Sequence, residues 1–381
     1  MSDKGDASAL PAEHRGGWMS FIKSIASFSG DLSKMTAPSF ILSPVSLTEY
    51  PSYWGEHPEM LVAISEAKTP EERMVAVLRW FIGTLKGQYT SRNTQMGSEK
   101  KPLNPILGEL FLGKWPASGE RGETTLVSEQ VSHHPPITAY HLENKKAGVS
   151  VVGHSGQKTS FNGRSIHVQQ VGHALLRVQV PGGAEEVYLI SLPMLSIDGL
   201  WFGSPYIELT EASYIHSSTG LLATVQYSGK GYFSGKPHTY NATVVKDSAP
   251  STPLLEVGGD WSGVSHVKRG TLLSPNTVFW DANATPRAEV SVAPIDAQGP
   301  QESRRVWKTV AEGIRTGNYD LASKDKSRIE NEQRALRKER QANGTEHKLT
   351  YFTHVADDPV YAQLAGACKG LPATQESFTR S

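Results

Sequence analysis

The sequence predicts a mainly β protein with flanking helices, and three observations carry that reading. Between residues 108 and 290, short runs rich in β-branched and aromatic residues alternate with glycine-containing turns, the pattern of an antiparallel sandwich or barrel. Ahead of that region lies a capped helix that is apolar almost all round. Behind it, residues 302–343 turn helical again and strongly charged. No fixed-period repeat is present, which argues against a propeller.

Composition bounds the function. A chain of 381 residues with 38% apolar content can form one large domain or two ordinary ones around a sizeable core. Net charge is zero, so nothing draws the whole molecule to nucleic acid, and any anion-binding surface has to be local. The one cysteine, Cys368, excludes an internal disulfide and a four-cysteine zinc site, and fits the cytosol or nucleus. The first residues lack the apolar centre of a leader, and no run approaches about 18 consecutive apolar residues.

Taken in order, residues 1–17 are polar and expected to be disordered. Residues 18–32, WMSFIKSIASFSGDL, have helical spacing: Trp18, Phe21, Ile22, Ile25, Phe28 and Leu32 share one side, with only Ser29 intruding. Ser20, Lys23, Ser24, Ser27 and Asp31 share the other. A polar face of serines with one lysine suits insertion into weakly charged, curved bilayers better than attraction to anionic ones. TPEERMVAVLRWFIGTLKGQ is a buried helix that Thr69 caps, with Pro70 at its first position and Glu72 completing a capping box. The strand runs are TTLVSEQV, ITAYHLE, VSVVGH, SIHVQQV, ALLRVQV, EVYLISL, YIELTEASYI, LLATVQY and TYNATVV. ESRRVWKTVAEGIRTGN reads as one helix, and KDKSRIENEQRALRKERQANG as a second, closed by Asn343 and Gly344.

EQVSHHPP, residues 129–136, sets two titratable rings side by side before two prolines. Adjacent side chains on a strand point to opposite faces, so His133 and His134 could share a metal only at a bend. No HExxH motif, cysteine pair or acidic triplet offers a third ligand, and no GxSxG elbow offers a nucleophile. A pair of structural histidines at a strand end, a catalytic base and an anion clamp all stay open on these residues alone.

The octapeptide matches the signature of the oxysterol-binding protein family at every position, and KKPLNPILGELF at 100–111 resembles the family's other landmark. SFIKSIASFSGDL, followed by APSFILSPVSLTEYPSYWGEHPE, resembles the start of the short, fungal-type members. The resemblance spans roughly residues 18 to 365. It implies a single lipid-binding domain, a large near-closed antiparallel β-barrel around a lipid tunnel, with an N-terminal helical lid and a C-terminal helical region. The lid would be residues 18–32, the helical segment and landmark loop 33–107, the barrel 108–290, and the C-terminal region 291–381.

The implied function is exchange of sterol and phosphatidylinositol 4-phosphate between membranes. One tunnel cannot hold both lipids, so loading one expels the other. His133 and His134 would hold the phosphate, joined by Lys101 as a point charge, Leu103 as a backbone donor and Asn104 as an amide. Lys326, Glu330 and Arg334 recur every four residues, forming one helical stripe that the resemblance sets against the headgroup. Gln88 and Tyr89 would face the sterol hydroxyl, with Gln169 or Gln170 joining them, and Trp18 and Phe21 would close the lid. The resemblance implies no enzyme activity, metal or cofactor, and neither a nucleic-acid nor a protein partner. It implies a cytoplasmic protein bound transiently to Golgi and endoplasmic-reticulum membranes, as at membrane contacts. Two variants stay open: a lipid-gated phosphoinositide regulator with little net transport, and a carrier of phosphatidylserine in place of sterol.

Overall fold

The computed structural model describes residues 15–28, 32, 35, 37–90, 100–117, 119–229 and 236–381. Helix α1 (Arg15–Ser27) opens the described chain. It starts three residues before the expected Trp18, so residues 15–17 belong to it and not to the polar leader. The rest of that leader, residues 1–14, lies outside the described residues, as do Ser29 and Asp31 of the expected lid. Because α1 stops at Ser27, Phe28 does not join its apolar face and stands 40% exposed. Trp18, Ile22 and Ile25 are buried as the spacing required, while Ser20, Lys23, Ser24 and Ser27 face solvent.

Strand β1 (Leu42–Ser46) is followed by helices α2 (Pro58–Glu66) and α3 (Pro70–Tyr89). The α3 N-terminus forms as read: Thr69 accepts from the Glu72 N–H, and the Glu72 carboxylate accepts from the Thr69 N–H. Met74, Leu78, Trp80, Ile82 and Leu85 of α3 are fully buried. Strand β2 (Lys101–Leu103) then pairs in parallel with β1.

The main sheet follows as β3 (Leu110–Trp115), β4 (Thr124–His133), β5 (Pro136–Asn144), β6 (Val149–Phe161), β7 (Ile166–Gln179), β8 (Glu185–Ser191), β9 (Met194–Asp198), β10 (Tyr206–Thr210), β11 (Ala212–Ser217), β12 (Leu221–Ser228), β13 (Thr239–Lys246), β14 (Leu255–Asp260), β15 (Val264–Gly270) and β16 (Val278–Asp281). These fourteen strands form one antiparallel sheet, running from β3 to β16 with the β9–β10 hairpin branching off β7. Among the described residues β3 and β16 do not pair, so the hydrogen-bonded ladder is not a closed barrel. Residues from both halves of the sheet meet α3 in one apolar core, among them Tyr140, Val151, Tyr188, Ile215, Val225 and Val257.

Two strand readings are corrected. SIHVQQV and ALLRVQV are one long strand, β7, whose outer side forks: residues 166–168 pair with β9 and residues 173–179 with β8. Gly172 sits at the fork with φ 111°, where a Cβ would lie 2.1 Å from the His154 carbonyl oxygen, so only glycine fits. YIELTEASYI is two strands, broken where Glu211 takes φ 60°. The short strands β3, β9, β14, β15 and β16 were not among the quoted runs. Glycines and charged residues interrupt their alternation, as in LFLGKW and LEVGGD.

Behind the sheet, the first expected helix is two: α4 (Ser303–Val306) and α5 (Lys308–Arg315), separated where Trp307 leaves helical geometry at ψ 9°. Helix α6 (Tyr319–Asn343) starts earlier than the expected Lys324, because the Asn318 side chain caps the Leu321 N–H. It ends as expected at a left-handed Gly344. Strand β17 (Phe352–Val355), helix α7 (Pro359–Ala365) and strand β18 (Ser377–Arg380) complete the chain, with Phe352 and Phe378 packing on Ile137 and Ala139 of β5.

Beside α3 the Glu56 carboxyl lies against Gly87, where a Cβ would come 1.8 Å from Oε2. Burial pushes this carboxyl up to about 7, against the pull of Arg287. Folding therefore favours the protonated form, and stability falls as pH rises from about 4.5 to about 7. A shift of that size is worth on the order of 3 kcal/mol. Glu56→Gln should raise the Tm at pH 8 and flatten the stability profile between pH 5 and 7, which thermal melts across that range would check. An unchanged profile would place the ionised carboxylate in water.

Candidate functional site

A cavity of about 270 Å³ opens between α1, the end of α3 and the inner faces of β4 to β7, β9 and β10. Trp18, Phe21 and Ile25 of α1 line it, and the Trp18 indole N–H donates to the Leu200 carbonyl at 2.8 Å, holding the helix down. The Trp18 and Phe21 rings stand 6.2 Å apart. Gln88 and Tyr89 line the same cavity. Gln170 donates to the Tyr89 hydroxyl at 2.7 Å, whereas Gln169, its neighbour on the other face of β7, is exposed. Burial holds the Tyr89 phenol well above its usual range, so it stays neutral and keeps a proton to donate.

A polar stripe crosses this apolar space. Gln130 of β4 faces Thr138 of β5, which faces Ser155 of β6, while Gln157 of β6 faces Gln170 of β7. Thr138 donates to the Gln130 carbonyl oxygen at 2.6 Å. Apart from Gln170, sequence reading missed the stripe. Its one visible signal was Gln130 inside the octapeptide, where strand alternation turns it away from Glu129.

Lys101, the first residue of β2, and Asn104, from the proline-rich loop just after that strand, line the cavity as well. Lys101 is half-buried; burial and the nearby Lys326 bring its ammonium down to about 8, partly countered by Glu330. Leu103 is fully buried with α1, α5 and α6 residues, so its side chain is a core element. On α6, Glu330 pairs with Lys326 and also with Arg334 at 3.7 Å, so the expected stripe forms. Arg334 is 66% exposed and also donates to Asn331, which makes it the outermost member.

His133 and His134 do not point to opposite faces. Strand β4 ends at His133 and pairs with Pro136, so His134 and Pro135 form the hairpin turn and the His134–Pro135 peptide is cis. The rings meet edge to face with centroids 4.7 Å apart. Burial, then His134, then Arg337 lower the His133 pKa, opposed by the Pro105 carbonyl and Glu330. Its Nδ1 is buried without a hydrogen-bond partner. Lys101, Lys326, Glu330 and the histidine pair are thus one electrostatic cluster, and Arg337, which sequence reading missed, belongs to it.

Two buried carboxylates hold this cluster in place. Glu109 accepts from the Ile106 N–H at 3.0 Å and the Trp307 indole at 2.9 Å, tying the landmark loop to α4 and α5. Glu129 accepts from the Thr350 and Tyr351 N–H groups at 2.7 and 2.8 Å, tying β4 to the segment that follows α6.

The chain shares its fold with the Osh1 ORD domain solved in complex with cholesterol, at a TM-score of 0.76 and 21% identity over 100% of this chain and 88% of that one. It is likewise similar in fold to the Osh3 ORD from Saccharomyces cerevisiae solved in complex with PI(4)P, at 0.68 and 22% over 89% and 87%. The sequence profile of the oxysterol-binding protein family matches residues 18–313 and 311–368, and the chain belongs to that family. It is 60% identical over 380 residues to protein KES1 of Mycosarcoma maydis, covering 99% of this chain and 98% of the relative. It is 51% identical over 341 residues to protein kes1 of Schizosaccharomyces pombe, covering 88% and 86%.

Proposed function

We propose that this chain is a lipid transfer protein that carries sterol and phosphatidylinositol 4-phosphate in turn, making and breaking no covalent bond. The observation that carries the reading is one cavity lined both by an aromatic and amide set (Trp18, Phe21, Gln88, Tyr89) and by Lys101 and Asn104. A rigid apolar skeleton would fill the apolar part, its hydroxyl meeting Tyr89 and Gln170. A phosphate would lie against Lys101, the Leu103 N–H, Asn104, His133 and His134, with Lys326 and Arg334 adding charge and Glu330 accepting ring hydroxyls. In this reading residues 18–365 act as one lipid-binding domain. The sheet wraps the cavity as a nearly closed barrel, α1 is the lid, and the protein works peripherally at Golgi and endoplasmic-reticulum membranes.

The test is a two-liposome assay. A carrier at substoichiometric amounts moves sterol one way and phosphatidylinositol 4-phosphate the other. A lipid-gated regulator moves only as much lipid as there is protein, and that result would replace the proposal.

Phosphoinositide affinity should also follow pH. Phosphate raises the pKa of the groups it meets, so binding takes up protons wherever the free group has lost one. His133, held down in the free protein, gives affinity that falls as pH rises through its free and then its bound value. Lys101 adds a second fall that begins near pH 8. Binding titrations from pH 5 to 9 should show both steps. Lys101→Met should erase the upper one alone, and a flat profile would remove the charge argument.

A further inference from the structure

Beside the lid latch, the turn Leu200–Phe202 presents two aromatic rings to solvent. Trp201 is 42% exposed and Phe202 is 89% exposed, whereas Leu200 is 2% exposed and lines the cavity. The turn is rigidly built. Gly199 and Gly203 on either side take left-handed φ values of 73° and 67°. The Phe202 N–H donates to the Gly199 carbonyl at 3.1 Å, and the Gly203 N–H to the Leu200 carbonyl at 3.2 Å. The Trp201 indole donates to the Gly163 carbonyl at 3.1 Å, pinning the turn to the β6–β7 tip. A Cβ at Gly199 would lie 2.2 Å from the Ser204 carbonyl oxygen, so the tight return is a glycine device.

We infer that the Leu200–Phe202 turn is a wedge that inserts Phe202 and Trp201 into a lipid bilayer. The inference rests on the reading that lipid enters this cavity from a membrane. Three features select a bilayer as the occupant. The rings protrude from a convex turn, and a protein pocket would have to enclose Phe202 on nearly every side. The turn's buried face is cavity wall through Leu200, and Pro205 and Ile207 just beyond it line the cavity too, so wedge and cavity are continuous. The charges around neighbouring Tyr206 are mixed, Arg164 against Asp198 and Glu208, which suits an uncharged surface. Indole, phenol and phenyl groups favour the membrane interface. The Leu200 carbonyl is also the acceptor that holds Trp18, so the inserted turn and the lid latch are one short segment.

The experiment uses the full chain and sonicated dioleoyl-phosphatidylcholine vesicles without sterol or phosphoinositide. Phe202→Ser should lower the vesicle partition coefficient in flotation by about tenfold, the loss of one buried phenyl group. Phe202→Trp should retain flotation and add emission that bromine-labelled lipid quenches. A fluorescent sterol delivered from cyclodextrin should titrate Phe202→Ser as it titrates the unsubstituted chain. Unchanged flotation of Phe202→Ser, or a Phe202→Trp signal that bromolipid leaves unquenched, overturns the wedge. Loss of sterol titration in Phe202→Ser overturns it too, making the residue a cavity element. The two readings fail separately: absence of saturable sterol binding by the unsubstituted chain sinks the cavity reading, while flotation still decides the wedge.

Discussion

Replacing His133 and His134 together by alanine is expected to abolish extraction of phosphatidylinositol 4-phosphate from liposomes and to leave sterol extraction intact. The two rings stand at the β4–β5 turn, and neither lines the cavity that Trp18, Phe21, Tyr89 and Gln170 share. His133 presents a buried Nδ1 with no protein partner, the state of a donor or acceptor kept for a ligand. Each charge-assisted bond to a phosphate is worth roughly 1.5–3 kcal/mol, so losing two should cost on the order of a hundred- to ten-thousand-fold in affinity. The check is parallel extraction of both lipids, with circular dichroism to confirm the fold. Equal loss of both lipids in a folded variant would make the pair structural and end the clamp argument.

Glu129→Ala should be the most damaging single change within the octapeptide for stability. The carboxylate is fully buried and accepts two backbone N–H groups at 2.7 and 2.8 Å. Alanine strands both donors and removes two charge-assisted bonds, a cost of roughly 3–5 kcal/mol. Glu129→Gln keeps one good acceptor and should lose about half as much. Denaturant melts give the stability term. Because the freed segment follows α6, headgroup affinity should fall further than sterol affinity at temperatures where the variant is folded. A variant as stable as the unsubstituted chain would show that the segment is held elsewhere.

These residues also mark what the sequence could and could not reveal. The α3 cap was legible to the atom, because Thr69, Pro70 and Glu72 act within one turn of chain. The octapeptide and the 100–111 landmark located the candidate site. The role of Glu129 was not legible, because its partners lie 221 and 222 residues away. The meeting of His133 and His134 depends on where β4 ends: strand alternation allows it only at a bend, and the turn at His134 and Pro135 supplies that bend. The fork of β7, the break at Glu211 and the interruption at Trp307 are likewise set by neighbouring strands and helices, and local propensity has no access to those. Arg337 breaks the strict four-residue repeat of Lys326, Glu330 and Arg334, yet seven residues beyond Glu330 it returns to the same face of the helix, so helical spacing held a signal for it that the repeat alone did not.

Glu129's distant partners carry a consequence for the chain as it is being made. Among the described residues, every one that lines the cavity lies at or before Ile207. Lys326, Glu330, Arg334 and Arg337, and the backbone that Glu129 grips, are translated more than a hundred residues later. A polypeptide still attached to the ribosome can therefore have released the whole apolar lining while its phosphate cluster is half absent and Glu129 holds nothing. On the proposed reading phosphoinositide competence is conferred only when the last helices are released and dock, and the same helices complete the core against which Trp18, Ile22 and Ile25 of the lid pack.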